Sequence, residues 1–218
     1  MEEKLYQACS GGKVEEVQKL LQNSQININW QNWNDYLQTP FYIACLHGHI
    51  EIVKLLLNDS RVDFNKAEKD GWTPFYRACG NGYIEIVKLL LNDQRVDINK
   101  AVNDGWTPFH IACRWGHIEI VKLLLNDNRV DINKAANDGW TPFLIGCRYG
   151  KTEVVKYLLG SEREIDINTK DNDGKTGLDY AKQKGKTDIV KLIESFQMNP
   201  NKTRANLRRE FGNLFFIS

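Results

Sequence analysis

The sequence predicts an all-α solenoid of stacked helix-turn-helix units, and three observations lead there. The first is a period. Thr-Pro-Phe recurs at Thr39, Thr73, Thr107 and Thr141 with spacings of 34 residues, and a degraded copy, Thr-Gly-Leu, begins 35 residues later at Thr176. Glu3-Lys4-Leu5 stands 36 residues before Thr39 and leads into Ala8-Cys9 as Thr39 leads into Ala44-Cys45. Six units therefore cover residues 3–195, and a fixed period in this range marks a repeat array. The second observation is a helix apolar on nearly every side: over 118–125, only Glu119 and Lys122, continued by Asn126, make a polar stripe. Such a helix must be covered almost all round, which a stack of units does and one unit cannot. The third is at the ends. Glu16 and Lys19 replace Ile52 and Leu55 in the first unit, whereas Thr187 and Glu194 replace Ile50 and Leu57 in the last. Different faces turn polar, as terminal capping repeats require.

The elements follow in order. The stretch 23–38 is the first connection between units. It is two residues longer than its copies, has Leu37 where they have Gly71, Gly105 and Gly139, and carries Trp30, Trp33 and Tyr36. It is expected to be shaped differently, either by drift of a terminal repeat or as an extra binding finger. Within a unit, Thr107 is a good N-cap and Pro108 suits the first helical position, where a missing N–H costs nothing. The first helix runs to Gly116, a residue free to take positive φ. The second helix has Glu119 in its first turn, where the macrodipole favours an anion. Asp59-x-Arg61-x-Asp63 and its copies at Asp93/Arg95/Asp97 and Asp127/Arg129/Asp131 predict solvated ion pairs, each contributing about 0–1 kcal/mol. After 195 the period stops. Asn199, Pro200 and Gly212 bound a further short helix with Leu207 and Phe211 at i and i+4, followed by Leu214, Phe215, Phe216 and Ile217. The helix carries Lys202, Arg204, Arg208 and Arg209. Two readings stand: a cap over the last repeat, or a basic amphipathic segment for an acidic partner or membrane surface. The chain thus divides into a repeat array, 1–195, and a C-terminal capping helix and tail, 196–218.

The frame T-P-x-x-x-A-x-x-x-G-H-x-x-x-V-x-x-L-L, ending in Val-Asp-Ile-Asn, resembles the ankyrin repeat. Thr107, Pro108, His110, Ala112, Gly116, His117, Val121, Leu124, Asp131 and Asn133 sit on its signature positions. The repeats depart from the family pattern in holding 34 residues rather than 33, the added residue falling in Asn58-Asp59-Ser60-Arg61 and its copies. The resemblance implies an ankyrin-repeat solenoid with finger-like β-turn loops. It also implies a protein partner bound on the concave side by the fingertips and the exposed residues of the first helices. Carried over by position, the fingers offer Trp72, Trp106 and Trp140, for which a ladder of finger on finger is an alternative to binding. The first helices offer the pair before the terminal Gly. That pair varies from unit to unit and includes Arg114 with Trp115 and Arg148 with Tyr149, residue types enriched in interface hot spots. They either recognise a partner or simply fill exposed helix positions. The place of Arg77 is Ile43, Ile111, Ile145 and Tyr180 elsewhere, so Arg77 is expected to reach the groove wall.

Composition narrows the function classes. Lys+Arg 29 against Asp+Glu 28 gives a net charge of +1, no footprint for nucleic acid. The start, MEEKLYQACSGG, has neither a basic n-region nor an apolar h-region, so no secretory signal is expected. Apolar runs such as 55–57 fall far short of the ~20 residues that span a membrane. Cys9, Cys45, Cys79, Cys113 and Cys147 hold one slot in successive units. Units ~10 Å apart place those thiols beyond the ~7 Å reach of a disulfide, so buried reduced cysteines and an intracellular, cytoplasmic setting are expected. No zinc spacing, nucleophile elbow, P-loop or dinucleotide fingerprint is present. His47 and His49 flank one helix end without a third ligand. The expectation is a monomeric, non-catalytic protein-binding module with no cofactor or metal.

Overall fold

The computed structural model describes residues 1–212; Leu214, Phe215, Phe216 and Ile217, expected to continue the tail, lie outside the described residues. Two compact units divide the chain, Met1–Asn103 and the remainder from Asp104. The first holds α1 (Glu2–Ser10), α2 (Val14–Leu21), α3 (Pro40–His47), α4 (Ile50–Leu57), α5 (Pro74–Asn81) and α6 (Ile84–Leu91). Within it α1, α3 and α5 pack side by side in one layer and α2, α4 and α6 in another. The second unit holds α7 (Pro108–Trp115), α8 (Ile118–Asn126), α9 (Pro142–Arg148), α10 (Thr152–Gly160), α11 (Gly177–Gln183), α12 (Thr187–Met198) and α13 (Pro200–Glu210). There α7, α9 and α11 form one layer, and α8, α10 and α12 the other. The fold is all-helical.

Each first helix begins as the Thr-Pro step dictates. The Thr39, Thr73, Thr107, Thr141 and Thr176 hydroxyls accept the N–H three residues on, each such cap contributing about 1 kcal/mol. Ile120, Val121, Leu124 and Leu125 of α8 are buried while Glu119 and Asn126 stay exposed. Glu16, Lys19 and Thr187 at the two ends are exposed, and Glu194 pairs with Lys182 at 3.0 Å.

Between helix pairs the chain makes a short finger. In the finger before α9, Ala136 N–H donates to the Trp140 carbonyl (2.8 Å) and Gly139 N–H to that of Ala136 (3.0 Å). Adjacent fingers then join by a single backbone bond: Asn137 N–H to Asp104 O (3.0 Å) and Asn172 N–H to Asp138 O (3.1 Å) in the second unit, Lys69 N–H to Tyr36 O (2.9 Å) in the first. The approach is close enough that a Cβ on Gly105, whose φ is +88°, would lie 2.7 Å from the Asn137 amide oxygen. Only glycine meets both demands there.

The first finger differs, as its length and Leu37 foretold. Asn32 and Gln38 pair as an antiparallel bridge, and Tyr36 and Leu37 take left-handed backbone angles, φ 50° and 62°. A side chain in that region costs roughly 1–2 kcal/mol per residue, so the loop is held by other contacts. Tyr6 supplies them from below, its hydroxyl donating to Asp35 and to Gln38 Oε1 (3.1 Å). Trp33 and Tyr36 stand 80% and 62% exposed.

The Asp-x-Arg repeats are more than solvated pairs. Arg61 does grip Asp59, Nε to Oδ1 at 2.9 Å and Nη2 to Oδ2 at 2.6 Å. It also reaches the preceding repeat, donating to the Leu21, Asn23 and Ser24 carbonyls at 3.1, 3.1 and 3.2 Å. Arg95 likewise donates to Leu57 O at 2.7 Å. Arg61 and Arg95 therefore cap the last carbonyl of the second helix before them, Leu21 O and Leu57 O, a group left without an intrahelical donor. Asparagine makes a second link: Asn65 Nδ2 donates to Arg95 O (2.7 Å) and its Oδ1 accepts from Asp97 N–H (2.7 Å). Asn29 and Asn133 repeat the pattern onto Arg61 and Asp63, and onto Glu164 and Asp166.

The tail helix α13 folds back on α10 and α12. Leu207 is buried, Phe211 packs on Tyr157 with ring centroids 4.1 Å apart, and Lys156 pairs with Glu210 at 2.6 Å. Arg208 Nε donates to Gly160 O (2.8 Å) and Arg204 Nε to Leu159 O (3.4 Å), closing the C-terminus of α10. No helix among the described residues is long and apolar enough to cross a membrane.

Candidate functional site: an aromatic and arginine face

The second unit places six of the predicted residues in two sets of contacts, one around Arg114 and one around Arg148. Arg114, near the end of α7, lays its guanidinium 5.4 Å from the Trp106 ring centroid, 5.7 Å from that of Trp115 and 5.0 Å from that of Tyr149. Arg148, at the end of α9, lies 5.0 Å from the Trp140 ring and 5.2 Å from that of Tyr180. Such distances are those of cation–π attraction. Trp115 is 56% and Tyr149 40% exposed, while Trp106, Trp140, Arg114 and Arg148 are half-buried. Each finger tryptophan thus lies against the arginine of the first helix that follows it, and Trp115 and Tyr149 are the most exposed of the six.

The local sequence explains each placement. Gly116 at φ 78° ends α7 so that Arg114 and Trp115 occupy its last turn. Tyr149 closes α9 in the same slot, with Gly150 following at φ 66°. The tryptophans are fixed by their fingers, Asp104 Oδ1 accepting from Trp106 N–H and Asp138 Oδ1 from Trp140 N–H, both at 3.2 Å. They do not stack on each other. Trp106 packs on His110 with centroids 5.8 Å apart, and Trp140 on Tyr180 at 4.7 Å. Each finger is thereby tied to a first helix rather than to its neighbour's ring.

His110 supports this face from below. Its Nδ1 accepts from Thr107 N–H at 3.1 Å, which leaves the proton on Nε2, 3.0 Å from the Trp140 carbonyl. The ring therefore links α7 to the finger carrying Trp140. It is fully buried, and burial pushes its pKa down to about 4, so it is neutral at pH 7.

Trp72 and Arg77 lie in the first unit and form their own contact. The Arg77 guanidinium sits 3.6 Å above the Trp72 ring, and its Nε donates to the Tyr42 hydroxyl at 2.8 Å. Trp72 also stacks on Tyr76 at 6.2 Å. The other side chains in the slot of Arg77 (Ile43, Ile111, Ile145 and Tyr180) are all buried.

Tyr180 and His110 are contributors that the sequence did not assign to the candidate face. The signal for Tyr180 was an aromatic in a slot otherwise aliphatic or arginine; it reads as burial until Arg148 is seen above it. Its hydroxyl donates to Asp171, which holds the ring in place.

His47 Nδ1 and His49 Nε2 converge on the Ser10 carbonyl at 3.0 and 2.9 Å, capping the C-terminus of α1. No group of three or more potential metal ligands occurs among the described residues. One shallow cleft of about 300 Å³ lies against Ala181, Lys186 and Val190, and one of about 410 Å³ against Met1, Gln7 and Glu16; neither is lined by the aromatic and arginine residues.

Family models describing ankyrin repeats match residues 5–57, 60–136 and 127–204. Among solved structures, the crystal structure of EF0377, an ankyrin repeat protein, is 32% identical, covers 89% of this chain and 98% of its own, and superposes with a TM-score of 0.80. No curated protein matches the sequence. The capped Thr-Pro helices, the left-handed glycines, the fingers and these matches together place the chain in the ankyrin-repeat family.

Proposed function

We propose that this chain is a non-catalytic module that binds a protein partner on the face formed by its fingers and first-helix ends. Arg114, Trp115, Arg148 and Tyr149 form the centre, and Trp106 and Trp140 back them. Trp72 and Arg77 are the corresponding candidates in the first unit. Ankyrin repeats generally mediate protein–protein interaction, and the partner-facing chemistry here rests on one observation: Trp115 and Tyr149 stay exposed beside arginines already held against aromatic rings. Large aromatics with few rotamers and planar arginine forks supply contact area at low entropic cost.

Capture of partners from a lysate with wild-type protein, Trp115→Ala and Arg148→Ala, followed by titration of the captured partner, tests this. Each substitution is expected to weaken binding ~30-fold or more, as loss of a hot spot of ~2 kcal/mol does, while the unfolding free energy moves by less than ~1 kcal/mol. Affinity that survives both changes moves the site elsewhere, first to the finger with Trp33. A collapsed melt with Trp115→Ala shows that the ring is core. The same capture with residues 199–218 deleted tests the tail as an acidic-partner or membrane adaptor; because Arg204 and Arg208 are spent on carbonyls of α10 and of the segment after it, the deletion is expected to leave capture intact.

A further inference from the structure

The ten arginines of the chain divide sharply by what their N–H groups do. Arg61, Arg95 and Arg129 fork onto the aspartate two residues earlier. Arg163, Arg204 and Arg208 donate to main-chain carbonyls. Arg77 donates to Tyr42 and Arg209 to Asn206. Arg114 and Arg148 alone have neither a hydrogen bond nor a carboxylate partner among the described residues, although each is half-buried and held over aromatic faces. Contact with a ring does not consume the five N–H donors of a guanidinium, and no buried side-chain nitrogen among the described residues lacks a partner, so the donors of Arg114 and Arg148 are open to solvent. A fork held beside rings in this way fits a carboxylate in bidentate fashion, and its prior immobilisation removes part of the entropy cost of binding.

We infer that the partner presents an acidic segment, whose carboxylates occupy Arg114 and Arg148 while its intervening side chain packs on Trp115 and Tyr149. This rests on the proposal that the aromatic and arginine face is the binding surface, and it adds the chemistry of what binds. First helices in adjacent repeats lie ~10 Å apart. A polyproline II segment, with three residues per turn and a rise of ~3.1 Å per residue, puts positions i and i+3 on one face about 9 Å apart, so the two acidic residues are three apart in such a segment. Lys151, whose side chain lies over Gly116, and Lys186, over Gly150, add positive charge beside the same helix ends. Protein rather than nucleic acid is favoured because the net charge of +1 lacks the basic excess that binding a continuous phosphate backbone requires.

A random library of 12-residue peptides displayed on phage and selected against the full chain supplies the probe, and synthetic copies of the selected peptides supply affinities. The expected result is enrichment of Asp or Glu at i and i+3, with a loss of ~10-fold or more when either is changed to Gln. Arg114→Gln and Arg148→Gln are expected to weaken the same peptides by a similar factor, and Arg114→Lys and Arg148→Lys, which keep the charge but lose the fork, by less. Binding should also weaken as salt rises, since the contacts lie near solvent. Selection of peptides without paired carboxylates overturns the inference, as does undiminished binding by both Gln variants. Displacement of the peptides by a 12-nucleotide oligouridylate overturns it in favour of single-stranded nucleic acid, which also uses Arg and aromatic stacking. If Trp115→Ala and Tyr149→Ala abolish binding while the Gln variants do not, the face stands and the acidic partner falls. If none of the four positions matters, the face itself falls. Thermal melts of all variants confirm folding.

Discussion

At the scale of single residues, His110 couples the array to pH. In the unfolded chain its imidazole titrates near 6.5, whereas burial holds the folded form down to about 4. Between those values the unfolded chain binds a proton that the folded chain refuses, so stability rises with pH across that window. The contribution is complete above pH 6.5 and lost as pH falls toward 4, by about 3 kcal/mol at the rate of ~1.4 kcal/mol per pH unit. Urea melts at pH 7 and pH 4.5 check this against His110→Gln, which carries no titrating group. The wild type should lose more stability than the variant, and equal losses would rule out His110 as the source. The signature Thr-Pro-x-His made this residue visible in the sequence, but not its bond to the Trp140 carbonyl. That bond joins positions 30 residues apart, and periodicity says only that a residue recurs, not what it touches in the next unit.

At the scale of elements, the helices were legible and the links between them were not. Thr107-Pro108 and Gly116 announce where α7 starts and stops, because caps and left-handed glycines act locally. Arg61 reads in the sequence as half of a solvated ion pair, and Asn65 carries no signal of its own there. Their roles emerge only when the preceding helix places its carbonyls, or the following loop its N–H, within reach. The tail is an intermediate case: Asn199 caps α13 as expected, yet the partners of Leu207 and Phe211 in the array are not legible in the sequence. Deleting residues 199–218 should uncover Tyr157 and leave the Gly160 carbonyl without Arg208. Loss of one buried leucine alone costs about 1.5–3 kcal/mol, so a clear drop in melting temperature is expected. An unchanged melt would mean that α13 contributes nothing to the array.

At the scale of the whole molecule, repetition makes one slot report on the first five of the six units, the last having Lys182 there. Cys9, Cys45, Cys79, Cys113 and Cys147 are all buried and free. Burial raises each thiol's pKa, that of Cys9 to about 12, which withholds the reactive thiolate at neutral pH. A chromogenic disulfide reagent should leave native protein unmodified and react with all five cysteines in denaturant. Rapid labelling of several thiols without denaturant would show that these slots open readily. The candidate face was only partly legible at this scale: variation of the pair before each glycine pointed to Arg114 and Arg148, while their unspent donors required knowing where every other arginine goes.

The paired bonds of Asn65 bear on how such a chain changes over generations. Donor and acceptor sit in the same two slots of each unit, so a duplicated or deleted block of 34 residues brings or removes matching halves together and orphans nothing. A smaller insertion must fall where the loop it lengthens can still close the link: Asn65, Asn133 and Asn29 reach carbonyls 30, 31 and 32 residues on. The connection that does hold extra residues accommodates them with Tyr36 and Leu37 in left-handed conformations, which is strained backbone. Inherited length variation in this protein should therefore come in whole repeats, with smaller insertions confined to loops that can rebuild themselves.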